Sequence, residues 1–426
     1  MDQKLEQTIE TLEALIAEEP HNPDHHKELG NAFHVSGAYD LALEEYRTAL
    51  HIDPNFYKAQ YNMGNTYFAQ ERFDQSIISW QKALIMHPEL EHAIYNIAFT
   101  YFRMGTLSDN PEQSRRYFDD AVLEFQKAIA LRPENLDSHL HLGLTWYELE
   151  RYEEAMEEYL FVLERNKKDS YAHYNLGNVY YELGAREASY YEKALKEYKT
   201  AIKLNPQDSK SHNNIGDCHL RMGNLSSAKR ETRKVLKVFP NYLPAHCTMG
   251  EIFAAEGNHG DAIKEFKRIL ELDPVENHVL HKYASRMLIE EYNRLIEKTP
   301  NAGPLHYELA LAYKDLGIAY GDRAYLHKAQ DEFRTALRLI ESKGRKNKKG
   351  KEQVLALHIE LGETYLLLNN LELALMEVES ALVHDPDSIA AHCILGEIYV
   401  HAGDKELACS QFSYIKKAAM HARGLS

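Results

Sequence analysis

Along most of the 426 residues, apolar side chains recur at three- and four-residue steps within stretches of about 14 residues, the spacing that places them on one face of an α-helix. Short polar breaks separate the stretches, and the helices they predict come in pairs. Glycine and proline mark the pairing. Gly30 and Gly64 lie 34 residues apart, as do Gly143 and Gly177, Gly216 and Gly250, and Gly362 and Gly396. Pro20, Pro54 and Pro88 keep the same step, and so do Pro206, Pro240 and Pro274. A fixed period of this length marks a repeat architecture, here an all-α one.

Aligned on those glycines, further columns appear. Three residues on stands an aromatic: Phe33, Tyr67, Trp146, Tyr180, Phe253, Tyr365 and Tyr399. Twelve on stands a small residue, as in Ala42, Ala155, Ala228, Ala262, Ala374 and Ala408, and four beyond it a large one, such as Tyr46, Trp80, Phe125, Tyr159, Tyr198, Phe266, Phe333 or Phe412. The first glycine and the alanine let paired helices approach closely. A second glycine (Gly37, Gly105, Gly184, Gly223, Gly257, Gly317, Gly403) is predicted to make the turn between them, and the proline to end the second helix.

This column set resembles the tetratricopeptide repeat (TPR) family, whose signature is a 34-residue helix-turn-helix with this aromatic, glycine, alanine and proline spacing. The resemblance covers nearly the whole chain. It implies a right-handed superhelical solenoid of ten to eleven repeats. Full units start near residues 23, 57, 91, 136, 170, 209, 243, 303, 355 and 389. Residues 1–22 are expected to supply a capping helix, 277–302 a shortened unit or kink, and 343–354 a basic loop ahead of the C-terminal units. Three units are stretched, from Gly105 to Ala121, Gly184 to Ala194 and Gly317 to Ala329, by insertions that lengthen helices or loop out.

Composition narrows the function. Glycine and proline together are 34 residues, 8% of the chain, against about 12% in average proteins, so long linkers and low-complexity disorder are excluded. With 49 Lys+Arg against 65 Asp+Glu the net charge is −16, the wrong sign for coating nucleic acid or anionic lipid. The four cysteines, Cys218, Cys247, Cys393 and Cys409, form no CxxC and suit a reducing compartment. No apolar run approaches the ~18 residues of a membrane helix, and the acidic N-terminus lacks the pattern of a signal peptide. The expected location is the cytoplasm.

No motif of an enzyme appears: GxGxxG, HExxH, GxSxG and an EF-hand loop are all missing. The run from Gly344 to Lys351 is one residue too long for a phosphate loop, has Glu352 where Ser/Thr is required, and follows no strand. Its six basic residues, Lys343, Arg345, Lys346, Lys348, Lys349 and Lys351, read as a solvated connector or a contact for an acidic partner. His21, His25 and His26, and His278 with His281, come with no set of further ligands, so neither metal nor cofactor is expected. His139, His141 and His173 sit on first helices, where they could line a groove.

Stacked helical pairs leave a concave face lined by first helices. In the TPR frame its lining positions are 2, 5, 6, 9, 12 and 13. Position 6 holds Asn62, Asn96, Asn175 and Asn214, and position 9 adds Asn31, Asn65 and Asn178. A carboxamide both donates and accepts, so a row of them suits the main chain of an extended peptide. The row is similar to the asparagine ladder of the O-linked N-acetylglucosamine transferase TPR superhelix, which implies capture of a partner by its backbone. It breaks at His141 and, after the sixth unit, at Thr248, Glu308, Glu360 and Ile394. Aromatics lie between the asparagines: Tyr61, Phe68, Tyr95, Phe99, Phe102, Tyr147, Tyr171, Tyr174 and Tyr181. These give large amphipathic contact area and place a peptide groove across units one to six.

Lys27, Asn31 and Asn62 also match the first three positions of the carboxylate clamp of chaperone-binding TPR domains. His92 and Asn96 replace the next basic pair, so most of the required positive charge is missing. From the seventh unit the lining becomes Glu251, Glu308, Glu360, Glu363 and Glu397, an acidic face if open. The function expected is a non-enzymatic scaffold that binds a protein or peptide partner. The alternatives are a self-associating structural array, and a substrate-recruiting subunit of a transferase or peptidase complex.

Overall fold

A computed structural model describes residues 3–272, 278–342 and 348–422. The described residues form 22 α-helices and no strand. After α1 (Gln3–Glu18) come the pairs α2 (Pro23–Ser36) and α3 (Tyr39–Ile52), α4 (Tyr57–Ala69) and α5 (Phe73–Met86), α6 (Glu91–Leu107) and α7 (Pro111–Leu131), α8 (Leu136–Glu148) and α9 (Tyr152–Arg165), and α10 (Ser170–Gly184) and α11 (Ser189–Leu204). Then follow α12 (Ser209–Arg221) with α13 (Leu225–Val238), α14 (Leu243–Ala255) with α15 (His259–Leu272), the unpaired α16 (His278–Lys298), α17 (Gly303–Tyr320) with α18 (Arg323–Ser342), α19 (Lys348–Leu367) with α20 (Leu371–His384), and α21 (Ile389–Ala402) with α22 (Lys405–Ala422). The chain divides into two compact bodies, residues 1–211 and 212–426.

Local chemistry sets the helix starts. Asn22 accepts from the backbone N–H of Asp24 at 3.1 Å, while Pro23 takes the first helical position, where no N–H is needed. Asn110 and Pro111 repeat the device at α7, and Asn135 and Asp169 cap α8 and α10.

Within each pair the glycine column is a contact. A Cβ on Gly30 would meet the Tyr46 ring at 2.6 Å, on Gly177 the Tyr198 ring at 2.7 Å, and on Gly250 the Phe266 ring at 2.6 Å. The aromatic of the second helix therefore lies against bare backbone of the first, and Tyr159, Tyr198 and Phe266 are fully buried there. Burying each such ring contributes about 1.5–3 kcal/mol.

The second glycine column divides. Gly37, Gly223, Gly257 and Gly403 have φ between +73° and +80° and make the turns, as predicted. Gly105, Gly184 and Gly317 do not. They lie inside or at the end of lengthened first helices, and a Cβ there would strike Phe118 at 2.6 Å, Tyr191 at 2.5 Å and Leu326 at 2.7 Å. The insertions extend both helices of these pairs, and the glycine that would have turned the chain becomes a second close contact one level further along. The turn after α17 falls instead to Gly321, at φ +65°.

This reassignment is testable. Gly105→Ala is expected to cost about 1–3 kcal/mol through overpacking against Phe118, more than the ~1 kcal/mol alanine gains in helix propensity. Thermal unfolding of the full chain reads the loss, and adding Phe118→Leu is expected to recover much of it. A neutral Gly105→Ala would restore the turn role.

One other segment departs from expectation. α19 begins at Lys348, so residues 348–354, assigned above to the basic loop, form its first two turns. Lys343, Arg345 and Lys346 lie outside the described residues. The shortened unit contains one 21-residue helix, α16, whose Ala284, Leu288 and Tyr292 join the core of α15 and α17.

Candidate binding groove

In the first body the predicted lining residues ride on α2, α4, α6, α8 and α10. The asparagines of neighbouring units bond to each other. Asn62 Nδ2 donates to Asn31 Oδ1 at 2.7 Å, and Asn96 Nδ2 donates to Asn65 Oδ1 at 3.2 Å and to the Tyr61 hydroxyl at 3.1 Å. The second helices fix which way each amide points. Trp80 Nε1 can only donate, and it gives to Asn65 Oδ1 at 3.2 Å and to the Tyr61 carbonyl at 3.1 Å. Asn65 must therefore turn its oxygen inward, which in turn orients the Asn96 nitrogen. Tyr46 and Tyr198 donate their hydroxyls in the same way to Asn31 and Asn178, both at 2.8 Å.

Position 9 is thus largely consumed in holding adjacent units together, a role the sequence reading did not give it. Position 6 keeps capacity: Asn62 and Asn96 spend a nitrogen inward, and no protein donor to their oxygens is found among the described residues. Asn175 sits in a unit preceded by Leu144 instead of asparagine. It is 5% exposed and its Nδ2 has no protein partner. Tyr174 packs its ring 6.1 Å from Tyr198 beside it. Asn214, half-buried, belongs to the second body.

At the first units Lys27, Asn31, Tyr57, Lys58, Tyr61, Asn62, Leu90 and His92 line a depression of about 340 Å³. Lys27 is already engaged, with Asp24 at 2.9 Å and Glu28 at 2.8 Å. Burial alone would lower its pKa, but these two carboxylates hold it above the usual lysine value. The clamp-like trio is therefore assembled with its charge neutralised.

Next along lies an aromatic tract. Phe68 and Phe99 are 6.0 Å apart, Tyr95 and Phe99 stack at 6.3 Å, and Phe99 and Phe102 at 6.4 Å. His141 meets Phe99 edge-on at 5.1 Å and bonds the Tyr95 hydroxyl at 3.2 Å. Burial lowers the pKa of His141 and raises that of Tyr95 to about 12, so both are neutral at pH 7. His141 is thus the groove histidine of the three expected. His139 and His173 instead turn toward their own second helices, bonding Glu158 at 2.5 Å and Glu197 at 2.6 Å.

The acidic face expected in the second body is largely neutralised. Glu308 pairs with Lys267 at 2.5 Å, Glu251 with Arg221 at 2.9 Å, and Glu360 and Glu363 share the buried Lys314, the latter at 3.0 Å. Each cation comes from a neighbouring unit, so the single-unit alignment could not reveal the pairing. Glu397 remains exposed. Among the described residues no three His, Cys, Asp or Glu side chains gather as a metal ion would need, and no helix is long and apolar enough to cross a membrane.

A TPR-repeat family model matches residues 30–71, 145–184 and 186–223, and a second tetratricopeptide-repeat model matches 243–276. A model for the plant-specific mitochondrial import receptor subunit TOM20 matches 69–163. No curated protein matches the sequence. Among solved structures, a tetratricopeptide repeat protein from Parabacteroides merdae is 19% identical, covering 62% of this chain and 98% of its own with a TM-score of 0.48. YrrB, described as a TPR protein with an unusual peptide-binding site, is 21% identical over 48% of this chain and 96% of its own, with a TM-score of 0.39. The Naa15/Naa10 structure bound to HypK-THB is 16% identical, covering 98% of this chain and 61% of its own at 0.44.

Proposed function

Starting from a chain built of tetratricopeptide repeats, a fold that serves as a scaffold for protein–protein contacts, we propose that this protein is a non-enzymatic adaptor that holds an extended segment of a partner protein along α2, α4, α6, α8 and α10. The position-6 carboxamides take the segment's main chain, and the tract of Phe68, Tyr95, Phe99 and Phe102 takes its side chains. The observation that carries this reading is the buried Asn175 nitrogen without a partner, on the same helix face as amides whose inward pairing leaves an oxygen unspent. A buried unsatisfied amide costs about 1–3 kcal/mol, which a bound backbone carbonyl would relieve.

The test is affinity capture from native lysate with mass spectrometry, comparing wild type with the combined Asn62→Ala, Asn96→Ala and Asn175→Ala variant. Because Asn62 and Asn96 also join units, Asn175→Ala alone serves as the variant that breaks no internal bond. With helicity unchanged by circular dichroism, captured partners are expected to fall at least ~10-fold, as the loss of about 1.4 kcal/mol of binding requires. An unchanged partner set sinks the groove.

The match of residues 69–163 to the import-receptor model favours one version of this reading. In it the held segment belongs to a protein destined for import. Binding of a precursor but not its mature form by the purified chain would single it out.

A further inference from the structure

Five histidines, at the fourth position of their units, share one geometry. His26, His139, His173, His246 and His306 each point Nδ1 at a glutamate of their own second helix: Glu45 at 2.7 Å, Glu158 at 2.5 Å, and Glu197, Glu265 and Glu332 at 2.6 Å. Each points Nε2 at a backbone carbonyl of the turn that enters the unit: Pro20 at 3.2 Å, Pro133 at 3.0 Å, Lys167 at 3.2 Å, and Pro240 and Pro300 at 2.9 Å. The ring therefore ties the second helix of one unit to the segment arriving from the unit before.

Both partners are oxygen acceptors. A neutral imidazole carries one N–H and one lone pair, so it can serve only one of them and turns a lone pair on the other. Only the doubly protonated ring closes both bonds. We propose that these five histidine clasps make the stacking of consecutive units proton-dependent, closed when the rings are charged and loosened at the entering turns as they lose a proton.

At one clasp the electrostatics run the same way. At His246 burial lowers the pKa, but Glu265 and the Pro240 carbonyl raise it further than burial and the nearby Arg268 bring it down. A raised folded pKa means the clasp stabilises fully below the ordinary histidine value of 6.5 and is lost as pH rises through the folded value. His139 stacks on Phe161 at 3.8 Å, with Arg165 over that ring's far side. His26 has Glu45 on α3 and, one residue back, His25 near Glu19. His173 and His306 face Glu197 and Glu332. The last unit repeats the geometry with a neutral acceptor, His392 Nδ1 lying 2.7 Å from Gln411 Oε1. Units two and three carry Gln60 and Ile94 at this position, both buried, and so supply turns without a clasp.

Amide hydrogen exchange of the full chain at pH 6.0 and 8.0, corrected for intrinsic rates, tests this. Protection at the clasped turns, residues 19–22, 132–135, 166–169, 239–242 and 299–302, is expected to fall at the higher pH, as the bond that the second ring proton closes is lost. The turn at 53–56, which enters the unit of Gln60 and holds no histidine, should barely change. The combined His26→Gln, His139→Gln, His173→Gln, His246→Gln and His306→Gln variant, using the residue the chain itself buries at position 60, should lose the difference. If that variant does not fold, His246→Gln alone should flatten residues 239–242 while the other four turns keep their dependence. Equal pH dependence at clasped and unclasped turns in the wild type, or a variant turn that keeps its dependence, overturns the proposal.

Discussion

Trp80→Ala is expected to lower the stability of the first body by about 3–5 kcal/mol, the cost of emptying a large aromatic site in a packed core. The indole is 2% exposed and packs with Ile77, Ala93 and Ile97. It also covers Gly64, where a Cβ would already collide with it. Since that backbone carries no side chain, little can move into the void, which places the loss toward the upper end of the range. Packing is one part of it. Without the indole N–H, Asn65 is no longer held oxygen-inward, and Asn96 loses a fixed acceptor. Trp80→Phe separates the two effects: it keeps most of the ring and drops the donor, for an expected loss of about 1–2 kcal/mol. Urea unfolding of the full chain followed by circular dichroism measures both. Equal losses for the two variants would mean that the hydrogen bond, and not the packing, holds this unit.

Lys314→Met is expected to cost about 2–3 kcal/mol. Removing one member of a fully buried ion pair costs about 3–5 kcal/mol, but here the stranded glutamates regain some water, since their side chains are 20% and 43% exposed for Glu360 and Glu363. Lys314 itself is 8% exposed. Burial would pull its pKa down, yet the two carboxylates hold it above the ordinary lysine value of 10.5. Its contribution is therefore complete at neutral pH and is lost only as pH rises beyond that value. Two carboxylates left facing each other supply the mechanism, so Glu360→Gln added to Lys314→Met should recover about half of the loss, as a double-mutant cycle reads. A double variant no better than the single would assign the effect to packing of the lysine stem.

The fold was legible because its main columns are direct contacts. Gly30 beneath Tyr46 and Gly250 beneath Phe266 can exist only at that spacing, so the period read from glycines is the period of helix packing. The turn glycines were legible where the unit had standard length. At Gly105, Gly184 and Gly317 the insertions lengthened the helices, and the same residue type came to serve a close contact. What single-unit reading could not see were bonds between units. Asn62 to Asn31 spans 31 residues and Lys314 to Glu360 spans 46, and each column looks the same whether its partner is a peptide or the next repeat. The histidine clasps did carry a signal. A histidine at position four is followed 19 residues later by Glu45, Glu158 or Glu265, and later still by Glu197 and Glu332 in the lengthened units. Taken one at a time, His139 and His173 resembled groove residues.

The glycine–ring contacts differ in strength from pair to pair. The pair α6 and α7 has the extra seat of Phe118 on Gly105 besides its buried Phe125, and α10 and α11 add Tyr191 on Gly184 to Tyr198 on Gly177. In α12 and α13 the seat is filled by Thr232, whose hydroxyl is buried without a partner against Gly216. A repeat array behaves as a line of units whose intrinsic stabilities and neighbour terms add. The line is therefore uneven: the pairs whose rings seat twice are expected to open least, and those with Thr232 or Val378 on the glycine most, so which residue covers each glycine is expected to set fluctuation along this protein.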